Sequence, residues 1–167
     1  MESVLIRKAT EKDLEAILHI YNDVVMTTTA TFEEKPRPLS EFASAYRYKL
    51  ENGFPWIVAQ IGEKLVAYGT YGSFRNASGY KPTVEHSLHV HDEFRGLGIG
   101  SRILKELINT AKQQSLKSMI AGIDASNTGS IVLHEKFGFK KVGEIPQVAI
   151  KFSRWLDLVF LQLNLED

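Results

Sequence analysis

Three glycines at alternate positions, placed directly after an arginine, constrain this chain more than any other stretch. They occur in Arg95-Gly96-Leu97-Gly98-Ile99-Gly100, between a predicted strand and a predicted amphipathic helix. Glycine is costly in an ordered backbone, so three within five residues require a reason. Bare N–H groups followed by a helix N-terminus can hold an anion. The stretch therefore predicts a phosphate or diphosphate site, with a simple tight turn as the alternative.

Two common nucleotide-binding loops fit this stretch poorly. A dinucleotide fold needs G-x-G-x-x-G after its first strand, whereas here the spacing is G-x-G-x-G and lies past mid-chain. A Walker loop ends in Gly-Lys-Ser or Gly-Lys-Thr, and here Ser101 follows Gly100 without a lysine.

The pattern of apolar residues predicts an α/β chain of the α+β type, with residues 1–167 forming one domain. Strands and helices follow in the order β-α-α-β-β-β-α-β-α-β-β. Short turns between the early strands favour antiparallel pairing, whereas the β-α-β unit around the glycines favours a parallel crossover. The last two strands are predicted at "FKKVGEI" and "LDLVFLQLNL". Helix starts are predicted at Thr10 with Asp13, at Ser40 and at Asn127, and helix ends at Gly53 and Gly138.

Charge and cysteine content exclude several classes of function. Lys plus Arg and Asp plus Glu number 20 each, so the zero net charge gives no support to nucleic-acid or membrane-surface binding. The chain contains no cysteine, which excludes disulfides, thiolate metal sites and a cysteine nucleophile. Without a signal-peptide pattern or a long apolar run, a cytoplasmic protein is expected.

The glycine stretch and several longer segments resemble a known family. Arg95-x-x-Gly98-x-Gly100 matches the Q/R-x-x-G-x-G/A signature of the GNAT N-acetyltransferase superfamily. The segments "TTATFEEKP", "TVEHSLHV", "GIDASNTGSIVLHEKFGF" and "KFSRWLDLVFLQLNL" resemble its phosphinothricin and methionine sulfoximine acetyltransferase branch. The resemblance implies a single-domain GNAT fold, with a mixed, mostly antiparallel sheet of six to seven strands flanked by helices. It also implies acetyl-CoA as co-substrate and a homodimer.

The resemblance assigns the cofactor contacts to three segments. The glycine loop would bind the diphosphate of acetyl-CoA, and the preceding strand would contact its pantetheine arm. Asn127 and Ser130 would add polar contacts, although simple helix capping explains them equally well. The implied cofactor-binding residues are Leu88, His89, Val90, Arg95, Gly96, Leu97, Gly98, Ile99, Gly100, Ser101, Asn127 and Ser130.

Two residues are candidates for proton transfer. Strand alternation places Glu85 with Ser87 on one face, where a carboxylate can accept the proton of the attacking amine. His134 lies four residues after Ser130 on a short helix, and histidine titrates near neutrality. The resemblance assigns catalytic roles to both. A solvent-facing glutamate and a packed histidine remain the alternatives.

The acceptor side is less well defined by the sequence. A small amino-acid-like acceptor carries a carboxylate, which a basic side chain can bind, although ordinary surface charge is the common alternative. The resemblance places Arg75, Asn76 and Ala77, and Glu85, His86 and Ser87, around the acceptor, and Lys151 is a further candidate. Asn76-Ala77 replaces a bulkier pair common in the branch, and Ser153 stands where glycine is common.

Histidines on one strand raise a metal hypothesis that the sequence does not favour. His86, His89 and His91 are close in sequence, but no second ligand cluster at familiar spacing appears elsewhere. No metal is therefore predicted, and His19 is interpreted as structural.

The sequence thus predicts an acetyl-CoA-dependent N-acetyltransferase for a small amino-acid-like amine of the methionine sulfoximine, methionine sulfone or phosphinothricin type. Direct attack in a ternary complex is expected because no cysteine can carry the acyl group. Two alternatives stay open: acetylation of peptide N-termini or another metabolite, and a non-catalytic acetyl-CoA sensor.

Overall fold

The computed structural model describes residues 3–166 and arranges them around one seven-stranded sheet with the order β1-β2-β3-β4-β5-β7-β6. The strands are β1 (Val4–Lys8), β2 (Trp56–Ile61), β3 (Lys64–Ser73), β4 (Thr83–Val90), β5 (Ser118–Asp124), β6 (Lys140–Lys151) and β7 (Arg154–Asn164). The helices are α1 (Leu14–Thr27), α2 (Leu39–Glu51), α3 (Ile99–Gln113) and α4 (Thr128–Lys136). Only β4 and β5 pair in parallel, which confirms the predicted mixed, mostly antiparallel α/β fold. Of the predicted span 1–167, residues 1, 2 and 167 lie outside the described residues.

Most predicted helix boundaries are confirmed. Thr10 and Asp13 form a capping box ahead of α1, and the Asn127 side chain accepts a hydrogen bond from the Ser130 N–H. Gly53 and Gly138 follow α2 and α4 with φ of +77° and +91°. These left-handed conformations end a helix at little cost only in glycine.

The predicted cap at Ser40 is wrong. Helix α2 begins one residue earlier, at Leu39, with Pro38 in the N-cap position. The proline has φ −74° and ψ 153°, an extended conformation that its ring favours before a first helical turn. Ser40 lies inside that turn, where its carbonyl oxygen accepts a hydrogen bond from the Ser44 hydroxyl.

Strand β6 is longer than its predicted segment. It continues through Pro146 to Lys151 and pairs with β7 up to Arg154, so Phe152 and Ser153 form the connecting turn. A proline normally indicates a strand break, but it is tolerated here because β6 is an edge strand whose register shifts between Ile145 and Ala149.

The sheet is covered on both faces. One apolar cluster packs beneath α3 and includes Ile103, Leu104 and Leu107. The other lies beneath α1 and α2 and includes aromatic rings such as Trp56 and Tyr68. The strand pair β4–β5 therefore has α3 on one side and the α1–α2 layer on the other.

Gly69 of β3 allows α3 to lie directly on the sheet. A Cβ at this position would lie 2.5 Å from Ile103 Cγ2 and 2.9 Å from Leu107 Cδ1. We expect Gly69→Val to lower the free energy of unfolding by about 1–3 kcal/mol through overpacking, as measured by urea denaturation. Gly143→Val on β6 is the control, because no atom lies within 4 Å of its Cβ position. Equal effects of the two variants would contradict this explanation.

Candidate active site

A gap opens between β4 and β5 in the middle of the sheet. The two strands pair only over Thr83–Glu85, although β4 continues to Val90 and β5 to Asp124. Because parallel strands end on the same side, the N-termini of α3 and α4 follow at this open end. The gap is a cleft with exposed backbone on β4, flanked by two helix N-termini.

Alternation determines which β4 backbone groups face the gap. The N–H of His91 donates to Val66 O on β3, and the N–H of Phe74 on β3 donates to Thr83 O. Odd-numbered β4 residues therefore bond to β3, whereas Leu88 and Val90 direct their N–H and C=O groups toward the gap. Of the three predicted pantetheine contacts, His89 thus has its backbone directed toward β3. Its ring packs against Tyr68, with centroids 5.6 Å apart, and desolvation by the surrounding residues lowers its pKa to about 4.

The glycine loop leads directly into α3. Gly96 and Gly98 have φ of +77° and +76°, and no atom lies within 4 Å of either Cβ position. Their requirement for glycine is therefore one of backbone conformation, on a surface that is open to a ligand. Gly100 differs, because it lies in the first turn of α3 and a Cβ there would make ordinary contacts with Leu133 and Val90.

Unpaired donors are concentrated where α3 begins. The first helical hydrogen bond runs from the Arg102 N–H to Gly98 O, at 3.3 Å. Helix geometry leaves the preceding N–H groups, from Gly98 to Ser101, without partners inside the helix. Arg95 lies beside them, exposed, with Nε donating to Val90 O at 3.3 Å. Leu97 is exposed and Ile99 is buried in the core. The two side chains therefore point in different directions and do not together cover these donors.

Asn127 and Ser130 form the N-terminus of α4. Asn127 Oδ1 accepts a hydrogen bond from the Ser130 N–H at 3.2 Å, as capping predicts. Leu133 of the same helix lies against Gly100, since its Cδ2 is 3.6 Å from the Cβ position there. The two helix N-termini are thus neighbours.

Glu85 lies on the α1–α2 face of the sheet, between two strands that carry glycines. Its β3 partner is Gly72, and its Oε2 is 3.6 Å from the Cβ position of Gly122 on β5. Burial raises the pKa of the Glu85 carboxyl, and the positive charges of Arg75 and Lys49 oppose this shift. A half-buried carboxylate with space on both sides can accept a proton from a bound molecule.

His134 and His86 form a buried pair on the opposite face of β4. His134 Nδ1 lies 2.6 Å from Ser130 O, and its Nε2 lies 2.8 Å from His86 Nε2. A carbonyl oxygen only accepts, so the network assigns the proton of His134 to Nδ1, and His86 must then donate from Nε2. Burial lowers the pKa of His86 to about 3 and also lowers that of His134, which favours two neutral rings.

The predicted acceptor residues do not all converge. Arg75, Asn76 and Ala77 are exposed in the loop after β3, and Ser87 is exposed on the same face as Glu85. His86 points to the other face. Lys151 is 1% exposed, and its Nζ donates to Thr31 O at 2.9 Å, so an acceptor would have to compete with that bond.

Two further side chains, which no motif in the sequence predicts, contribute to the sheet face that carries Glu85. Lys49 in the last turn of α2 extends over β3, with Nζ 3.3 Å from Thr70 Oγ1. The buried Asp124 at the end of β5 accepts a hydrogen bond from Thr29 Oγ1. Together with Lys151, Asp124 holds the loop between α1 and α2 against the site. Lys49 and Asp124 reach the site only through contacts between segments that are distant in sequence. Such contacts leave no local signal in the sequence.

Comparison with known proteins identifies the family. Residues 6–160 match the family described as acetyltransferase (GNAT) domain. This chain belongs to the GNAT acetyltransferase family. It is therefore an acyltransferase. The seven-stranded, mostly antiparallel sheet described above is its GNAT fold.

Three similar proteins of known sequence or structure have different named activities. The L-methionine sulfoximine/L-methionine sulfone acetyltransferase of Pseudomonas paraeruginosa is 43% identical over 165 residues, covering 98% of this chain and 96% of that protein. A GNAT superfamily phosphinothricin acetyltransferase from Sinorhizobium meliloti, solved in complex with AcCoA, has TM-score 0.94 and 34% identity, covering 96% of this chain and 88% of that one. A ribosomal-protein-alanine N-acetyltransferase from Brucella melitensis has TM-score 0.94 and 42% identity, covering 96% and 99%.

The two histidines of β4 and His91, which follows the strand, do not converge on one point in this GNAT protein. His86 contacts His134, His89 packs on Tyr68, and His91 lies beside α1. Among residues 3–166, His91 instead groups with His19 and Asp23, with one possible ligand atom of each within 4.8 Å of the others. That group is at the surface, and the absence of a metal stays a prediction. No helix in the described part of the chain is long and apolar enough to span a membrane.

Proposed function

We propose that this GNAT protein transfers the acetyl group of acetyl-CoA to the amine of a small amino-acid-like substrate of the methionine sulfoximine, methionine sulfone or phosphinothricin type. The observation that carries the proposal is the placement of Glu85 beside a backbone-lined gap that ends in two helix N-termini. The Pseudomonas and Sinorhizobium proteins, which cover nearly the whole chain, support the substrate class.

Residues of the glycine loop would hold the donor. The N–H groups from Gly98 to Ser101 and the guanidinium of Arg95 suit a diphosphate, because they combine unpaired donors with positive charge. Leu88 and Val90 would hydrogen-bond the pantetheine arm, and their N–H groups would polarise the thioester carbonyl. When bound, acetyl-CoA supplies an activated acetyl group. Residues Asn127 and Ser130 would border the donor from α4.

Glu85 would act on the acceptor. An ammonium has no lone pair, so the amine must lose a proton before it can attack. The carboxylate of Glu85 would accept that proton directly or through one water. Because burial raises its pKa, Glu85 is a stronger base than an exposed glutamate.

His134 would assist from the other side of the gap. Both of its ring nitrogens are already hydrogen bonded, and burial opposes protonation of the ring. We therefore assign positioning of α4 to His134 ahead of direct proton transfer. His86 would hold the ring of His134 rather than contact the acceptor.

A thiol-release assay over free amino acids and peptides tests this function. We expect acetyl-CoA to release CoA with methionine sulfone, methionine sulfoximine or phosphinothricin, and with few unrelated amines. Release with peptide N-termini alone would favour the second candidate, which the similarity to the Brucella protein supports. Tight acetyl-CoA binding without any acceptor-dependent release would favour the sensor instead.

We also propose a cytoplasmic homodimer. Edge strand β6 and its turn expose large apolar side chains, which an unpartnered edge normally avoids. Phe152 and Ser153 in the turn have φ of +52° and +57°, a strained conformation for residues other than glycine. The exposed residues are Val142, Ile145, Val148, Ile150 and Phe152, together with Trp155 of β7, which pairs with Ile150. The lack of cysteine fits a reducing compartment.

We expect sedimentation to give twice the 18.8 kDa chain mass for the wild type. Replacing the paired Ile150 and Trp155 by lysine should give a folded monomer, because two charges would be buried at the interface. Leu5→Lys on the opposite edge strand is the matched control, since Leu5 is similarly exposed. A monomeric wild type would exclude this arrangement.

A further inference from the structure

The ammonium of Lys49 is held in a defined place on the acceptor face. Its Nζ lies 3.3 Å from Thr70 Oγ1, and the buried Thr70 hydroxyl in turn donates to Pro55 O at 2.8 Å. The same Nζ lies 5.1 Å from the centre of the Trp56 ring, within the range of a cation–π contact. A lysine that only provides surface charge would not have its ammonium fixed from two sides.

Lys49 forms no ion pair with another side chain in the described part of the chain. Among residues 3–166, no carboxylate lies within 4.0 Å of its Nζ, although the side chain is half-buried over the sheet. Burial lowers the pKa of the ammonium to about 8, the nearby charge of Arg37 contributes in the same direction, and the charge of Glu85 opposes the shift. The group is thus mostly charged at neutral pH. A half-buried cation that makes no direct ion pair among these residues is suited to an anionic ligand.

Lys49 extends from α2 over β3, next to the strand β4 that carries Glu85, and each of the two charges favours the ionised form of the other. Lys49 Cε is 3.5 Å and its Nζ 3.8 Å from the Cβ position of Gly72, which is the β3 partner of Glu85. Gly72 and Glu85 form a hydrogen-bonded pair, whose Cα atoms are about 5.5 Å apart. Because Gly72 has no side chain, no side chain at that position separates the ammonium from the carboxylate side of the site.

We propose that Lys49 binds the α-carboxylate of the acceptor and thereby selects free α-amino acids over peptide N-termini. An α-amino acid carries an ammonium and a carboxylate on the same carbon, which matches adjacent Glu85 and Lys49. A peptide N-terminus presents a neutral amide in place of that carboxylate, so Lys49 would stay uncompensated. This inference rests on the proposed function and adds a recognition residue to it.

Other basic residues of this face are less suited to the role. Arg75 is exposed and stacks over the Phe74 ring at 5.3 Å, and Lys151 donates to Thr31 O. Arg37 lies over the Tyr21 ring at 5.2 Å.

Calorimetry on the enzyme saturated with CoA, which cannot react, tests the proposal with methionine sulfone and its α-carboxamide. We expect the wild type to bind the acid about 10-fold to 100-fold more tightly than the amide. Lys49→Met should abolish this ratio by weakening the acid alone. Lys49→Arg should keep most of it, and Lys8→Met, at an exposed site on β1, should keep all of it.

The outcomes separate this inference from the proposed function. Equal binding of acid and amide by the wild type would overturn the role of Lys49 without any variant. An unchanged ratio of acid to amide affinity in Lys49→Met would overturn it as well. Acetyl-CoA binding shows whether that variant is folded, and Lys49→Gln replaces it if it is not. If the wild type neither binds nor acetylates any free amino acid, the proposed function itself fails.

Discussion

Glu85→Gln is expected to lower kcat/KM for the acceptor by about 10²-fold to 10⁴-fold, the usual contribution of a general base. Glutamine keeps the size and polarity of the side chain but cannot accept a proton. The dissociation constant of acetyl-CoA should not change, because Glu85 lies away from the glycine loop. Steady-state thiol release and calorimetry measure the two quantities separately.

The pH dependence of the same reaction has a defined sign. Glu85 must be ionised to act, so kcat/KM should fall as pH decreases through its pKa. Burial raises that pKa, which moves the acidic limb above the pH at which an exposed glutamate titrates. The limb should disappear in Glu85→Gln and persist in Glu63→Gln, a control at an exposed turn residue. A Glu85→Gln enzyme with near-normal turnover across the pH range would remove Glu85 from the mechanism.

Gly98→Val is expected to weaken acetyl-CoA binding by up to about 10²-fold. Gly98 has φ +76°, and a β-branched residue there would cost about 1–3 kcal/mol. The loop would relax by turning its N–H groups away from the position that a diphosphate needs. Calorimetric titration with acetyl-CoA measures the effect.

Gly53→Val is the matched control for this prediction. Gly53 has φ +77° and no atom within 4 Å of its Cβ position, so its strain and its open surroundings are the same. It follows α2, outside the glycine loop. The two variants should lose similar stability, and only Gly98→Val should lose affinity; equal losses of affinity would attribute the effect to general destabilisation.

The fold could be predicted from the sequence because its signals are local. Apolar spacing gave the order of elements, and the β-α-β unit around the glycines gave the parallel pair β4–β5. Asn127, Gly53 and Gly138 are confirmed because capping depends on a few neighbouring residues. The errors occurred where context overrides a local preference, as at Pro146, which an edge strand accommodates through a register shift.

The candidate site could be predicted only in part. The glycine loop and Glu85 carry a motif, whereas Lys49 becomes part of the site only because α2 packs its last turn over Gly72. The contact between His86 and His134 joins residues 48 positions apart. The ammonium of Lys151 could bind an anion, but in the folded chain it donates a hydrogen bond to Thr31 O instead.

The two halves of this site differ in how they tolerate change. Leu88, Val90 and the first turn of α3 face the gap with peptide groups, which every amino acid except proline supplies; only Gly96 and Gly98, with their positive φ, require a particular residue. Most point mutations there would leave the hydrogen-bonding pattern intact. On the other face, the proposed roles of Glu85 and Lys49 depend on their side chains, so a single codon change would remove either. Substitutions of side chains on the acceptor face can therefore change the acceptor. Binding of the donor is retained, because it depends on the backbone conformation.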